Sequence, residues 1–191
     1  MQIERYIDHT LLKPTATPGA IRQLCAEARE FNFYAVCVNS CYVSLAKEEL
    51  KDSGIKIAAV IGFPLGAMST DAKLCEAKYC IEHGADEIDM VINLGWLKFE
   101  EYGLVKDEIA KIKQVIGSRK LKVIIETCYL TDEEKKIISG YPLITLKKFE
   151  QNLMPFHPPV QNEWFEWMKK SPFLAIQFEN LFFVYDFVIC F

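Results

Sequence analysis

The stretch Glu87-Ile-Asp-Met-Val-Ile-Asn93 gives the first indication of the fold class, because apolar residues occur on both faces of the extended chain: Ile88, Met90 and Ile92 on one face and Val91 on the other. Such a run is typical of a strand in a parallel sheet that is covered on both sides by helices. Similar runs lie at residues 34–38, 55–61 and 121–127, and stretches with helical spacing of apolar residues separate them. The pattern predicts right-handed βαβ units around a parallel sheet.

Two of these predicted strands carry a charged residue where a buried strand is normally apolar. Asp89 lies inside the 87–93 stretch, and Lys122 lies near the start of the 121–127 stretch. A buried carboxylate costs free energy unless it is paired or functional. An Asp and a Lys on neighbouring parallel strands can form a proton-shuttling pair whose pKa values are mutually shifted. The alternative is that both charges lie at strand ends and reach solvent.

Length, charge and cysteine content bound the class of protein. The chain has 191 residues, a hydrophobic fraction of 51% and a net charge of −4, which argues against a nucleic-acid surface. The N-terminus shows no signal-peptide pattern, and no early segment reaches the roughly 20 apolar residues of a membrane span. The seven cysteines include no C-x-x-C pair, so we expect reduced thiols, no zinc framework and a cytoplasmic location.

Composition changes abruptly near residue 140. All nine glycines lie at or before Gly140, whereas residues 141–191 hold nine of the thirteen phenylalanines. We therefore expect a domain at residues 1–140 and an unlike, aromatic-rich tail at residues 141–191. Four polar residues interrupt the apolar end of the tail, so we expect no membrane span there: Gln177, Glu179, Asn180 and Asp186.

Five stretches, in the same order along the chain, resemble the deoxyribose-phosphate aldolase family. They are Tyr6-Ile-Asp-His-Thr-Leu-Leu-Lys-Pro14, Ala35-Val-Cys-Val-Asn39, Val60-Ile-Gly-Phe-Pro-Leu-Gly66, Gly84-Ala-Asp-Glu-Ile-Asp-Met-Val-Ile-Asn93 and Leu121-Lys-Val-Ile-Ile-Glu-Thr127. The resemblance covers residues 1 to about 140 and implies a partial TIM (β/α) barrel of about five strands. It further implies cleavage of 2-deoxy-D-ribose 5-phosphate to D-glyceraldehyde 3-phosphate and acetaldehyde through a lysine Schiff base, without metal or cofactor.

The resemblance also implies roles for five residues. Asp89 resembles the family's proton donor and acceptor, and Lys122 resembles a lysine of its catalytic relay. Asp8 and Thr10 resemble residues on the substrate side, and Cys37 lines the same pocket. From the residues alone, a solvated turn is the more ordinary interpretation of Asp8 and a small apolar core residue that of Cys37.

The family's Schiff-base lysine has no counterpart in this sequence. The family places that lysine in a strand ending Lys-Thr-Ser-Thr-Gly and a second lysine in a Lys-x-x-Gly-Gly stretch, and neither motif occurs here. An imine-forming lysine supplies the electron sink of the reaction and needs a depressed pKa to do so. Because this sequence lacks that lysine, we predict little or no aldolase activity for this chain. The alternatives are a non-catalytic interaction or regulatory relic of the family, or imine chemistry taken over by Lys147 or Lys148.

Two explanations of residues 141–191 stay open. In the first, the aromatic segment covers the unpaired edge of the fifth strand. In the second, which we favour, the segment comes from a foreign reading frame, an intron or an incorrect gene end. The expected partner is a small phosphosugar substrate, with no nucleic acid and no membrane, and a homo-oligomer is compatible with the sequence.

Overall fold

The computed structural model describes residues 3–139 and 188–190. The chain divides into two compact units, residues 1–123 and 124–191, and each is described by itself. Among the described residues, five strands and five α-helices lie in the first unit, except that the fifth strand extends by one residue, Ile124, into the second. The strands are Asp8–Leu11 (β1), Ala35–Asn39 (β2), Lys56–Ile61 (β3), Glu87–Val91 (β4) and Lys120–Ile124 (β5). The helices are Pro18–Glu30 (α1), Val43–Glu49 (α2), Thr70–Glu82 (α3), Leu94–Lys98 (α4) and Tyr102–Ile116 (α5).

Short 3₁₀ helices precede β1 and α2, at Ile3–Tyr6 and Ser40–Tyr42. The second unit contains a 3₁₀ helix at Thr127–Tyr129, the helix Asp132–Ser139 (α6) and the strand Val188–Cys190 (β6). The predicted domain boundary after residue 140 lies outside the described residues. The predictions for residues 141–191, which include those for Lys147 and Lys148, also concern residues almost entirely outside the described part. Among residues 3–139 and 188–190, no helix combines the length and apolar character that a bilayer crossing requires.

The first five strands are parallel and follow one another in chain order across the sheet. Register pairs Asp8 with Ala35, Cys37 with Ala58, and Val60 with Asp89. Each connection between neighbouring strands contains at least one helix, which is the arrangement that the alternation of apolar runs and helical stretches predicts. The predicted α/β class with about five parallel strands is confirmed.

The helices bury one apolar face against the strands, as α1 illustrates. Thr17 caps its N-terminus by accepting a hydrogen bond from the Ala20 backbone N–H at 3.2 Å, and Pro18 occupies the first turn. Four side chains at helical spacing are at most 1% exposed: Ile21, Leu24, Cys25 and Ala28. The middle strands β2, β3 and β4 are buried along nearly their whole length. Helices cover one face of these strands, and side chains of the curled sheet pack against one another on the other face.

A close approach of backbone to backbone fixes the loop that follows β3. A Cβ atom on Gly66 would lie 1.9 Å from the carbonyl oxygen of Ile92, just after β4, and the φ of Gly66 is +65°. Glu76 of α3 accepts a hydrogen bond from the Gly62 backbone N–H at 2.9 Å. The loop at the carboxyl end of β3 is therefore held directly against the carboxyl end of β4.

A buried ion pair joins α3 to α5. Nζ of Lys73 lies 2.7 Å from Oε2 of Glu108, and the two side chains are 0% and 1% exposed. Lys73 also donates to the carbonyl oxygen of Val91 at 2.9 Å, and Thr70 donates to Oε1 of Glu108 at 3.0 Å. The pair thus satisfies its own buried charges and ties both helices to the end of β4.

Candidate active site

Asp89 and Lys122 meet on the interior side of the sheet. They are the third residues of β4 and β5. Oδ2 of Asp89 lies 2.8 Å from Nζ of Lys122, and each side chain is 4% exposed. The alternative that these charges reach solvent at strand ends is therefore wrong.

Asp8, the first residue of β1, contacts the same ammonium group. Its Oδ2 atom lies 2.5 Å from Nζ of Lys122, and its side chain is 28% exposed. Four strand spacings separate β1 from β5, which would be about 19 Å in a flat sheet. The contact exists because the sheet curls like the wall of a barrel. Asp8 is therefore part of the charged cluster around Lys122 and does not lie in a solvated turn.

Cys37 reaches the pair from β2. Its Sγ atom donates to Oδ2 of Asp89 over 3.7 Å, and on the intervening strand β3 the small side chain of Ala58 leaves room for this contact. Burial and the neighbouring Asp89 charge raise the pKa of the Cys37 thiol well above its usual value. The thiol therefore stays protonated and acts as a hydrogen-bond donor.

Thr10 lies beside this cluster and is not joined to it by its hydroxyl. Thr10 is opposite Cys37 in the register of β1 and β2. Its hydroxyl donates to the backbone carbonyl oxygen of Asp8 at 2.8 Å. The structure thus brings four of the five predicted residues together through their side chains, and Thr10 contacts the group through the backbone of β1.

Three further residues extend the cluster towards the amino ends of the strands, and sequence reasoning missed them. Oε1 of Glu87 accepts a hydrogen bond from the Tyr34 hydroxyl at 2.6 Å and lies 2.7 Å from Nζ of Lys120. Oε2 of Glu87 lies 3.5 Å from Nζ of Lys122. The available signal was the alternation of strand side chains, since Glu87 is in phase with Asp89. Lys120 is in phase with Lys122 in the same way.

The environment shifts the pKa values of the central pair. Burial raises the pKa of Asp89 to about 6, although the Lys122 ammonium opposes the rise. The charges of Asp8 and Glu87 add to it. Burial alone would lower the pKa of Lys122, but the Asp89 and Asp8 carboxylates outweigh burial and hold that pKa well above its usual value. At neutral pH, Lys122 is a fixed cation and Asp89 is a carboxyl group that can exchange a proton.

The two oxygens of Asp89 differ in their contacts. Oδ2 has both Lys122 and Cys37 as partners. Oδ1 is buried and has no hydrogen-bond partner in the part of the chain that the structure describes. Oδ1 is therefore the oxygen that can hold an added proton without breaking a contact. Within the same part of the chain, no three His, Cys, Asp or Glu side chains form a group suited to a metal ion.

The sheet has parallel strands that alternate with helices, and it curls around buried charges. This architecture defines a protein of the TIM-barrel type, and solved structures similar to it are TIM-barrel aldolases. A Coccidioides immitis protein described as a deoxyribose-phosphate aldolase aligns with a TM-score of 0.69 and 43% identity, over 70% of this chain and 53% of that one. The deoxyribose phosphate aldolase of Aeropyrum pernix, described as a unique tetramer, aligns with a TM-score of 0.61 and 32% identity, over 69% and 56% of the two chains.

Sequence comparison identifies the family. Residues 4–139 match the model of the DeoC/LacD family of aldolases. The deoxyribose-phosphate aldolase of Coprothermobacter proteolyticus is 55% identical over 140 residues, which are 73% of this chain and 64% of that protein. The chain belongs to the DeoC/LacD aldolase family, so the predicted resemblance is confirmed, and the matched part spans 64% of the length of this curated relative.

Proposed function

We propose that the described site is the acid–base part of a deoxyribose-phosphate aldolase site, shaped for 2-deoxy-D-ribose 5-phosphate. The observation that carries the proposal is the buried Lys122 ammonium, 2.5 Å from Asp8 and 2.8 Å from Asp89. In this role Asp89 takes and returns protons, and Lys122 holds the carboxylate in place. Asp8, Thr10 and Cys37 border the substrate.

The chemistry of a retro-aldol cleavage sets two tasks. A base must remove the proton of the hydroxyl group whose carbon becomes the new aldehyde, and an electron sink must accept the electron pair of the broken carbon–carbon bond. Asp89 suits the first task, because a pKa of about 6 leaves it mostly ionised at neutral pH and still able to hold a proton. We assign that proton to Oδ1, the oxygen of Asp89 without a hydrogen-bond partner among the described residues.

The second task needs a neutral amine at the site, and neither of the two buried lysines among the described residues is suited to it. Lys122 has a raised pKa and remains a cation. Burial lowers the pKa of Lys73, but its side chain is fully enclosed and is bound to Glu108. The family's Lys-Thr-Ser-Thr-Gly motif does not occur in the sequence. We therefore propose that this chain carries the acid–base part of the site without the Schiff-base lysine and turns over little or no substrate by itself.

The titration of Asp89 tests the acid–base part of the proposal. Carboxyl carbon NMR of labelled protein is expected to give a midpoint near 6 for Asp89. In Lys122→Met the midpoint should rise, because the variant removes the cation that favours the charged form. Lys56→Met is the matched control, since Lys56 is an exposed strand lysine paired with Asp86 at 3.6 Å, and it should leave the midpoint unchanged. A wild-type midpoint near the ordinary value of about 4 would contradict the proposal.

The same proposal includes a cytoplasmic location, a role in deoxyribonucleotide breakdown and assembly as a homo-oligomer. The tetrameric relative from Aeropyrum pernix supports the last point. The alternative of a non-catalytic interaction relic depends on residues 141–191, which are almost entirely outside the described part of the chain. An oligomer that is lost when residues 141–191 are deleted would favour that alternative.

A further inference from the structure

Glu87 is a buried carboxylate to which the acid–base steps give no task. It begins β4, and its side chain is 4% exposed. Because side chains alternate along a strand, it faces the same side of the sheet as Asp89. A buried carboxylate is costly unless charged or hydrogen-bonding partners compensate it, so the partners of Glu87 indicate what it does.

One oxygen of Glu87 is firmly anchored. Oε1 accepts a hydrogen bond from the Tyr34 hydroxyl at 2.6 Å and lies 2.7 Å from Nζ of Lys120. Lys120 also donates to the Tyr34 hydroxyl at 2.8 Å, and its ammonium lies 4.8 Å from the centre of the Tyr34 ring. Burial alone would raise the pKa of Glu87, but Lys120 and Tyr34 outweigh burial and lower it. The anchored carboxylate is therefore ionised at neutral pH.

The other oxygen of Glu87 faces the site. Oε2 lies 3.5 Å from Nζ of Lys122 and has no hydrogen-bond partner among the described residues. The ammonium of Lys122 thus lies among three carboxylates, those of Asp8, Glu87 and Asp89. Glu87 differs from the other two in being held on its far side by Tyr34 and Lys120.

We propose that Glu87 is a positioning residue, which presents a fixed negative charge to Lys122 and so keeps that ammonium beside Asp89. The inference rests on the proposed function, since it takes Asp89 as the group that carries the proton. Protonation of Asp89 removes one counter-charge of Lys122, and the Glu87 charge then remains to hold the cation. The same charge opposes ionisation of Asp89 and so favours its protonated form.

The charged and titratable groups around Asp89 allow the effect to be isolated. They come from four strands: Asp8 on β1, Cys37 on β2, Glu87 on β4 itself and Lys122 on β5. The neighbouring strand β3 offers Ala58 and Val60 on this face, neither of which titrates. A substitution of Glu87 therefore removes one charge near Asp89 and leaves Asp8, Cys37 and Lys122 in the sequence unchanged.

The test follows the carboxyl resonances of Asp89 and Glu87 by NMR in the wild type, Glu87→Gln and Glu87→Asp. The proposal predicts that Glu87 stays ionised throughout the pH range in which Asp89 titrates. Glu87→Gln in the Lys122→Met background should lower the Asp89 midpoint by about half a pH unit or more, because a like charge is removed. In the protein that retains Lys122 the same substitution should lower the midpoint by less, because looser placement of the Lys122 ammonium opposes the change. Glu87→Asp keeps the charge and should hold the midpoint closer to that of the wild type.

The outcomes separate this inference from the proposed function. A wild-type Asp89 midpoint near 6, with the same shift on Glu87→Gln whether Lys122 is present or replaced by Met, would overturn the positioning role and leave the proposed function intact. A wild-type midpoint near 4 would overturn the proposed function itself. If Glu87→Gln does not fold, the wild-type titration still decides, because a Glu87 midpoint at or above that of Asp89 overturns the inference.

Discussion

Nζ of Lys122 on β5 lies 2.5 Å from Oδ2 of Asp8 on β1, so the first and fifth strands of the sheet meet through side chains across its interior. The same ammonium lies 2.8 Å from Asp89 on β4. One buried cation therefore joins three strands and holds the carboxylate to which we assign proton transfer. Changes at Lys122 should affect both the stability of the curled sheet and the acidity of the site.

Replacement of Lys122 by Met leaves the buried Asp89 carboxylate without its cation. We expect the free energy of unfolding at pH 7 to fall by about 3–5 kcal/mol, the usual cost of breaking a buried pair. Lys122→Met/Asp89→Asn should recover part of this loss, because the stranded charge is removed as well. Urea denaturation of wild type, both single variants and the double variant measures the coupling. Strictly additive losses would show that the two side chains do not interact.

The raised pKa of Asp89 predicts a pH dependence of stability with a definite sign. The folded state holds a proton on Asp89 between pH 3.8 and about 6, whereas the unfolded state has already lost it. Stability therefore falls with rising pH in this window, by up to about 3 kcal/mol at roughly 1.4 kcal/mol per pKa unit.

Asp89→Asn provides the comparison for this prediction, because it removes the titration and keeps the shape of the side chain. The free energy of unfolding of the wild type, relative to that of Asp89→Asn, should decrease between pH 4 and pH 6.5 in urea denaturation. A relative stability that rises over the same range would mean that the folded state lowers the pKa of Asp89.

The alternation of side chains between the two faces of a strand was sufficient to single out Asp89 and Lys122. Each charged residue shares a strand face with an apolar residue of a predicted buried strand. This alternation was not sufficient for Glu87 and Lys120, which begin their strands and resemble ordinary solvent-facing end charges. The contact between Asp8 and Lys122 depends on the curl of the sheet, which a one-dimensional pattern does not contain.

The ends of the strands were also hard to predict. The apolar run of the 87–93 stretch continues to Ile92, but β4 stops at Val91. Asn93 instead caps α4, since its side chain accepts a hydrogen bond from the Trp96 backbone N–H at 3.1 Å. A capping side chain and a strand residue can look alike in sequence.

The Lys73–Glu108 pair should behave as a structural element. Lys73→Met leaves Glu108 buried without its cation, and we expect a loss of about 3–5 kcal/mol in the free energy of unfolding. Lys73→Met/Glu108→Leu should be substantially more stable than Lys73→Met, since both charges are gone. Lys135→Met is the control, because its exposed pair with Asp132 at 3.2 Å should contribute less than about 0.5 kcal/mol. Equal losses in the first two variants would contradict the prediction.

Gly66 and Gly54 separate backbone strain from steric conflict. Both have positive φ, +65° and +76°, but a Cβ on Gly66 would lie 1.9 Å from the Ile92 oxygen, whereas one on Gly54 would meet nothing within 4 Å. Gly54→Ala should cost about 1–2 kcal/mol from the left-handed conformation alone. Gly66→Ala should cost clearly more, because the loop must also move away from the end of β4. Thermal unfolding of the two variants measures the difference, and similar losses would show that the loop does not pack closely on Ile92.

Borohydride trapping tests most directly the central claim that this chain has the acid–base part of an aldolase site without an imine-forming lysine. The wild type and Lys122→Met are incubated with acetaldehyde, reduced with sodium borohydride and compared by intact mass and peptide mapping. We predict the same low, scattered modification in both proteins, with no lysine modified stoichiometrically. A stoichiometric adduct at a single lysine of the wild type, at Lys122 or elsewhere in the chain, would contradict the claim.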